Sequence, residues 1–220
     1  MGESAPPPRV ARDRYDAVLG LLVLGYLLSA ISVAGLGRVL TGAVYLGALV
    51  VAWASSVLRR LRGQLAAAAL LVLALPVAVA RLSGAGQTAD VLGSLWLSLV
   101  LLLTLVTIVG RILQHDEVSL QTLFGALSAY LMIGLIFASW YAALQTIGNG
   151  TLFAGTRDAN GKTLQYFSFI TLTTTGYGDF VPATDIARAV AVLEALIGQI
   201  FLATLVARLV SSFAGRRRRT

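Results

Sequence analysis

The sequence predicts an all-α membrane protein with six transmembrane helices and a re-entrant segment between the fifth and the sixth. Hydrophobic residues make up 57% of the 220 residues and charged residues only 12%, whereas a soluble domain carries about 25% charged residues. Mean hydropathy is +0.83. A spanning helix needs about 20 mostly apolar residues. Four nearly uncharged stretches of roughly that length lie at 17–37, 39–58, 63–80 and 91–110, a fifth follows at about 118–146 and a sixth at about 186–213.

The segment at about 147–184 differs from these six stretches because it is more polar and contains several glycines. Non-helical backbone at membrane depth is tolerated only where it is buried in protein or lines a water-filled cavity. We therefore expect this segment to enter the membrane and to return to the same side.

The apolar pattern divides the chain into four parts. These are an N-terminal tail at 1–15, a four-helix transmembrane domain at 16–113, a second membrane domain at 118–215 and a basic tail at 216–220. A cleaved signal peptide is the alternative for the first apolar run. The length of that run, and the acidic Asp13 and Asp16 at its start, favour an uncleaved helix.

The basic residues predict the orientation, because cytoplasmic loops carry an excess of Lys and Arg. With six spans both termini share one side, and 12 of the 17 basic residues fall on it. We therefore expect a multi-pass protein of the plasma (cell) membrane with both termini cytoplasmic. The lipid bilayer is the expected environment, with anionic lipids as an alternative partner for the tail at 216–220. No nucleic-acid partner is expected, because the basic residues cluster at the ends of apolar runs.

The most informative motif is the string TTTGYGD at 173–179. Glycines at alternate positions let the backbone adopt angles that other residues resist, so successive carbonyl oxygens can point one way. Gly176 and Gly178 meet this requirement, and Tyr177 between them is expected to anchor the strand laterally. A column of such oxygens can replace the hydration shell of an ion.

From about Leu120 to Phe213 the chain resembles the pore domain of tetrameric potassium channels, with an outer helix, a pore helix, a selectivity filter and an inner helix. The resemblance implies a homotetramer, in which three identical subunits are the partners. It implies K⁺ as the permeant ion and no other cofactor. The implied K⁺ ligands are Thr174, Thr175, Gly176, Tyr177 and Gly178.

The pore helix is predicted at Thr163–Thr173, where its C-terminal partial negative charge would favour a cation in the central cavity. Its aromatic side chains are expected to brace the filter or simply to pack. By the same resemblance, Asp179 is expected to accept a hydrogen bond from Tyr166. A solvated carboxylate at the pore mouth is the alternative. The residues implied as filter support are Thr173, Asp179 and Tyr166.

Two residues depart from familiar relatives. Thr175 stands where the commonest family string has valine or isoleucine. Threonine is also β-branched, so the backbone restriction is kept, but its hydroxyl would face the protein and needs a partner. Ile170 stands where some bacterial relatives place a glutamate, so a pair of coupled carboxylates behind the filter is not expected.

In the sixth span, Gly198 lies 20 residues beyond Gly178, where the family often has a hinge glycine. Close contact with another helix is the alternative. Helical spacing places four further residues on one face as candidates for the cavity wall and a hydrophobic constriction. They are Gln199, Leu202, Val206 and Val210. Packing of this stripe against the outer helix is the alternative.

Glu194 is an acidic residue within an apolar span, where a charge is costly and should face protein or water. It is expected to form hydrogen bonds behind the filter, with a threonine as one candidate partner, or to remain protonated. A structural role is favoured over proton sensing.

The sequence therefore predicts a potassium-selective channel and not an enzyme. The span at 91–110 contains no arginine, so gating by the usual arginine voltage sensor is not expected. A less selective cation channel on the same fold is the first alternative. A secondary transporter is the second, although no internal repeat is evident.

Overall fold

The computed structural model describes residues 14–31, 44–45, 47–52, 86–114, 119–148, 152–155 and 159–217. Its named helices are α1 (Tyr15–Ile31), α2 (Gln87–Gln114), α3 (Leu120–Ile147), α4 (Gly161–Leu172) and α5 (Asp185–Arg217). Residues 44–45 and 47–52 are also helical. Apart from one isolated bridge between Phe153 and Pro182, these ranges contain no β-structure. The described part of the chain is therefore all-helical, as predicted.

Three helical stretches are long and apolar enough to cross a membrane, over Gln87–Leu113, Leu120–Ile147 and Asp185–Ser211. At 1.5 Å per residue each is about 40 Å long, against a hydrocarbon core of about 30 Å. They correspond to the predicted fourth, fifth and sixth spans. Helix α1, at 17 residues, is apolar but shorter. The predicted third span at 63–80 lies outside the described residues, as do the two terminal tails for the most part.

Helix α3 begins at a capping box. The Ser119 Oγ accepts the Thr122 N–H at 3.2 Å, and the Ser119 N–H donates to Thr122 Oγ1 at 3.3 Å. These bonds satisfy N–H groups that otherwise have no partner at the start of a helix. Helix α3 contacts each of the other four named helices, and its Ala129 and Met132 are fully buried. It is therefore the central helix of the described fold.

One apolar cluster joins α1, α2 and α3. Val18, Ile108 and Met132, one from each helix, are buried within it. Trp140 of α3 adds a polar contact, because its Nε1–H donates to Ser98 Oγ of α2 at 2.6 Å. Helices from the predicted four-helix domain therefore pack directly on the first helix of the second membrane domain.

A second apolar cluster surrounds α4. The Phe167 ring lies 5.0 Å from that of Tyr141 and 4.9 Å from that of Phe153, measured between centroids. Backbone hydrogen bonds of 2.8 and 2.9 Å join residues 152–154 to residues 181–183. The chain before α4 and the chain after the TTTGYGD string are thereby held together.

Helix α5 buries one stripe. Ala187, Glu194 and Gly198 are buried, and the partly buried Phe201 and Leu205 continue the stripe at helical spacing. This stripe faces α3 and α4. Because only one stripe is covered, the opposite face of α5 stays exposed in the single chain.

The far end of α5 is tied to α2. The Arg208 Nη2–H donates to the Ile112 carbonyl oxygen at 2.6 Å. This carbonyl is in the last turn of α2, where unpaired carbonyl groups carry a partial negative charge. A guanidinium is therefore a favourable partner for it.

Candidate functional site

Helix α4 starts from an asparagine cap. Asn160 Oδ1 accepts the N–H groups of Lys162 and Thr163 at 3.0 and 3.1 Å. The predicted range Thr163–Thr173 is therefore wrong by two residues at the start and one at the end, because this N-cap was overlooked. With 12 residues, α4 is about 18 Å long and reaches only part of the way through a membrane.

Helix α4 ends in a Schellman motif whose left-handed residue is Thr174. The Thr174 N–H donates to Thr171 O at 2.9 Å, and the Thr175 N–H donates to Ile170 O at 2.8 Å. These two bonds define the motif, and φ of Thr174 is 56°. Glycine is usual at this position, because a Cβ disfavours the left-handed region by about 1–2 kcal/mol. The end of α4 therefore shapes the beginning of the TTTGYGD string.

Positive φ then recurs at every second residue of the string. Angle φ is 56° at Thr174, 52° at Gly176 and 76° at Gly178, whereas Thr175 and Tyr177 have no positive φ. Positive φ at every second residue lets successive carbonyl oxygens point the same way. A Cβ on Gly176 or Gly178 would meet nothing within 4 Å. Glycine is therefore required at these two positions by backbone angle and not by crowding.

The hydroxyls of Thr173 and Thr175 are joined by a hydrogen bond, and the Thr174 hydroxyl bonds to the backbone. Thr173 Oγ1–H donates to Phe169 O at 2.7 Å, and the Thr173 and Thr175 hydroxyls lie 2.9 Å apart. Because the Thr173 hydrogen is used, Thr175 is the donor between them. The Thr174 hydroxyl donates to Thr173 O at 2.7 Å. The partner that the Thr175 hydroxyl needs is thus Thr173.

The C-terminal end of the string lies near the Tyr166 side chain of α4. The Tyr166 phenol lies close to the Asp179 carboxylate, and this carboxylate accepts the Phe180 N–H at 3.1 Å. The structure thus brings Tyr166 and Asp179 together, as the resemblance implies.

A row of aromatic rings extends from this point. The Phe180 ring lies 6.1 Å from Tyr166 and 5.2 Å from Phe153. Phe169 points elsewhere, because its ring contacts Tyr26 of α1 at 5.0 Å. Sequence reasoning missed Phe153 and Phe180, which lie outside α4. Their aromatic character near the string was the only available signal.

Gly198 of α5 lies against the end of α4. A Cβ at this position would be less than 3.0 Å from the Leu172 carbonyl oxygen and 2.9 Å from Leu172 Cδ1. The same carbonyl accepts the Tyr130 hydroxyl of α3 at 3.2 Å. The structure therefore gives a steric reason for a glycine here, and α5 runs through it without interruption.

The other residues of the sixth-span stripe lie on the uncovered side of α5. Gln199 is exposed and its Nε2–H donates to Thr174 Oγ1 at 3.1 Å. Val206 and Val210 are 56% and 62% exposed, and Leu202 is half-buried. Packing against the outer helix is therefore not observed for the two valines. Gln199 is next to the inner end of the string.

Glu194 is buried between three helices, with 0% of its surface exposed. Its Oε2 accepts the Tyr141 hydroxyl of α3 at 2.7 Å, and its Oε1 lies 2.5 Å from the Ser168 Oγ of α4. The expected threonine partner is wrong, because serine and tyrosine occupy that place. The sequence signal for Ser168 was a single small polar residue within the apolar part of α4.

Tyr177 does not anchor the strand within its own chain, since 71% of its side chain is exposed. All seven residues of the string are exposed in the single chain. The described residues include no group of three or more His, Cys, Asp or Glu side chains that could hold a metal ion. The oxygens of the string are therefore the candidate ion ligands in the described part.

Comparison with known proteins gives a family match over this region. A family model described as "Ion channel" matches residues 129–214. That range contains all of α4, the TTTGYGD string and most of α3 and α5.

Three individual relatives match this chain over 65 to 106 residues. Two pore potassium channel c of Oryza sativa subsp. japonica is 42% identical over 85 residues, which cover 39% of this chain and 17% of that protein. Two pore potassium channel b of the same plant is 40% identical over 65 residues, or 30% of this chain and 16% of that protein. Protein LctB of Bacillus caldotenax is 33% identical over 106 residues, or 46% of this chain and 78% of that protein. The chain thus spans less than a fifth of the two plant relatives and most of the bacterial one.

Proposed function

Because the chain belongs to the ion channel family, and is a channel protein and not an enzyme, we propose that it conducts potassium ions passively and selectively across the cell membrane. Potassium is proposed because the two plant relatives are named as potassium channels. The residues that resemble a potassium filter lie within the range that matches the family.

The observation that carries the proposal is the alternating backbone from Thr174 to Gly178. Potassium filters bind dehydrated ions through rings of backbone carbonyl oxygens. A strand with positive φ at every second residue can present successive carbonyls on one side. Thr174, Thr175, Gly176, Tyr177 and Gly178 are the proposed ligands, with the Thr174 hydroxyl at the inner end.

The proposed assembly is a homotetramer. One strand offers oxygen atoms to one side of an ion, and a potassium filter is built from four such strands. The exposed Tyr177 and the exposed valines of α5 are apolar surfaces that a second copy would cover. Three further copies of this chain are therefore the proposed partners, within a lipid bilayer.

Gating by a series of arginines is not proposed. Helix α2, which matches the predicted fourth span, carries Arg111 in its last turn and no other Arg or Lys. A voltage sensor needs several charges that move within the membrane field. We place both termini on the cytoplasmic side, from the distribution of Lys and Arg.

The test is reconstitution of the purified chain in a planar bilayer with unequal K⁺ and Na⁺ on the two sides. We expect a reversal potential near the K⁺ equilibrium value. A reversal potential between the K⁺ and Na⁺ values would favour the less selective channel, and substrate flux without current would favour the transporter. Cross-linking in detergent should end at four chains.

A matched pair of variants links the current to the alternating backbone. Gly176→Ala and Gly86→Ala both place a Cβ at a positive φ, of 52° and 81°, in open space. The backbone strain is similar at the two sites. Only Gly176→Ala should abolish selective current. Equal loss in both variants would show that general destabilisation, and not the filter backbone, is the cause.

A further inference from the structure

The carboxyl group of Glu194 joins helices α3, α4 and α5. Its two oxygens contact Tyr141 of α3 and Ser168 of α4, at 2.7 and 2.5 Å. The Ser168 Oγ also lies 2.7 Å from the carbonyl oxygen of Gly134 in α3. Four oxygen-containing groups from three helices thus form one buried network.

The number of hydrogens in this network does not suffice for an ionised carboxylate. The Ser168 hydroxyl has one hydrogen but two close oxygen neighbours, the Gly134 carbonyl and Glu194 Oε1. A carbonyl and a carboxylate have no hydrogen to donate. Two oxygens at 2.5–2.7 Å with no hydrogen between them repel each other. A second hydrogen is therefore required, and only Glu194 can supply it.

No opposite charge in the described residues compensates for an ionised Glu194. The ionisable groups that act on it are the phenols of Tyr130 and Tyr141 in α3, and α4 contributes the uncharged Ser168. The nearest arginine on α5, Arg188, lies six residues away along the helix, or about 9 Å along its axis. A charged carboxylate that is buried without a cationic partner is strongly disfavoured.

We propose that Glu194 carries a proton in the conducting channel, and that it is a positioning residue for the filter. The Glu194 O–H donates to Ser168 Oγ, whose own hydrogen goes to Gly134 O, while Tyr141 donates to the second carboxyl oxygen. Every group in the network then has a partner. The part of this inference that concerns conduction rests on the proposed function.

The network acts on the filter through α4. Ser168 lies two residues before Ile170, whose carbonyl oxygen accepts the N–H groups of Thr175 and Gly176 at 2.8 and 3.2 Å. Loss of the Glu194 proton leaves Ser168 with one hydrogen for two oxygen neighbours, so its contact with either Glu194 or Gly134 becomes repulsive and this part of α4 moves. The filter backbone then loses its support, so current should fall as pH rises and recover when the proton returns.

Infrared spectroscopy of the purified full chain tests the proton directly. The carbonyl stretch of a protonated carboxyl group should be present at neutral pH and absent from Glu194→Gln. Absence of this difference between the two proteins would overturn the proposal. This measurement needs no current, so it decides the protonation even if the chain conducts no potassium.

Conduction tests the positioning role. Glu194→Gln keeps a donor for Ser168 and an acceptor for Tyr141, so it should retain selective current and lose the fall at alkaline pH. Glu194→Leu has a similar size but neither group. It should lose at least about tenfold in current, since buried polar groups lose their partners.

A folded, tetrameric Glu194→Gln that conducts as poorly as Glu194→Leu would overturn the positioning role, because a charge would then be needed. If the current of Glu194→Gln still falls at alkaline pH as in the wild type, the positioning role is also overturned. If Glu194→Leu does not fold, the infrared difference and the pH profile of Glu194→Gln still decide the question.

Discussion

Replacing Gly198 by alanine distinguishes between two roles for this residue, a hinge in α5 and a site of close contact with α4. At Gly198 the added methyl group would be less than 3.0 Å from the Leu172 carbonyl oxygen, which is a backbone atom. That carbonyl is also held by Tyr130 and directly precedes the filter string. The end of α4 therefore cannot move away from the added methyl group without a shift of the adjoining proposed filter.

The expected magnitude follows from two opposing contributions. Alanine is favoured over glycine in a helix by about 1 kcal/mol. Overpacking by one methyl group costs about 1–3 kcal/mol. The net effect expected for Gly198→Ala is a decrease of up to about 2 kcal/mol in the free energy of unfolding. We also expect a change in the selectivity for K⁺ over Na⁺. A pure hinge glycine would instead give a more stable protein with altered opening and unchanged selectivity.

The assay is thermal unfolding of the detergent-solubilised protein, combined with reversal potentials in bilayers. Gly110→Ala in α2 is the matched control, because a Cβ there meets nothing within 4 Å. The free energy of unfolding of this control should rise by up to about 1 kcal/mol, from helix propensity alone. If Gly198→Ala is stabilised as much as the control and remains selective for K⁺ over Na⁺, the contact argument is refuted.

Three further variants test other contacts of the site. Tyr166→Phe removes the hydroxyl group beside Asp179, so single-channel recordings should show shorter openings; unchanged open times would count against a bracing role. Arg208→Leu removes the donor to Ile112 O and should lower the free energy of unfolding by about 1–2 kcal/mol. Calorimetry checks this, and Arg208→Lys, which keeps a donor, should lie in between. Thr175→Val keeps the β-branch but loses the hydrogen bond to the Thr173 hydroxyl. The reversal potential should stay near that of the wild type, while the decay of the current changes. A shift of the reversal potential towards the Na⁺ value would contradict this reasoning.

Much of the site could be predicted because its chemistry is local. The glycines of the string were expected to adopt unusual backbone angles, and Gly176 and Gly178 both have positive φ. The third such residue, Thr174, was missed because threonine rarely adopts this conformation. Its angle follows from the termination of α4, and a sequence motif does not display the hydrogen bonds of a helix end.

Contacts between distant segments could not be predicted in the same way. Glu194 was expected to find hydrogen-bonding partners, but Ser168 and Tyr141 lie 26 and 53 residues away in the sequence. Several polar residues near the string were equally suitable candidates. Helical packing alone decides which of them meets the carboxyl group. The same holds for Gly198, where either a hinge or a contact was compatible with the sequence.

The Schellman motif at the end of α4 also bears on how the channel is built. Its hydrogen bonds, together with the bond from Gly176 N–H to Ile170 O, link residues only three to six positions apart. Such short loops close at little entropic cost, so a newly made subunit can acquire the inner half of its filter by itself. The outer half, with its exposed Tyr177, has no comparable local support. In the proposed tetramer, subunit association would therefore complete a filter whose inner half each chain has already formed.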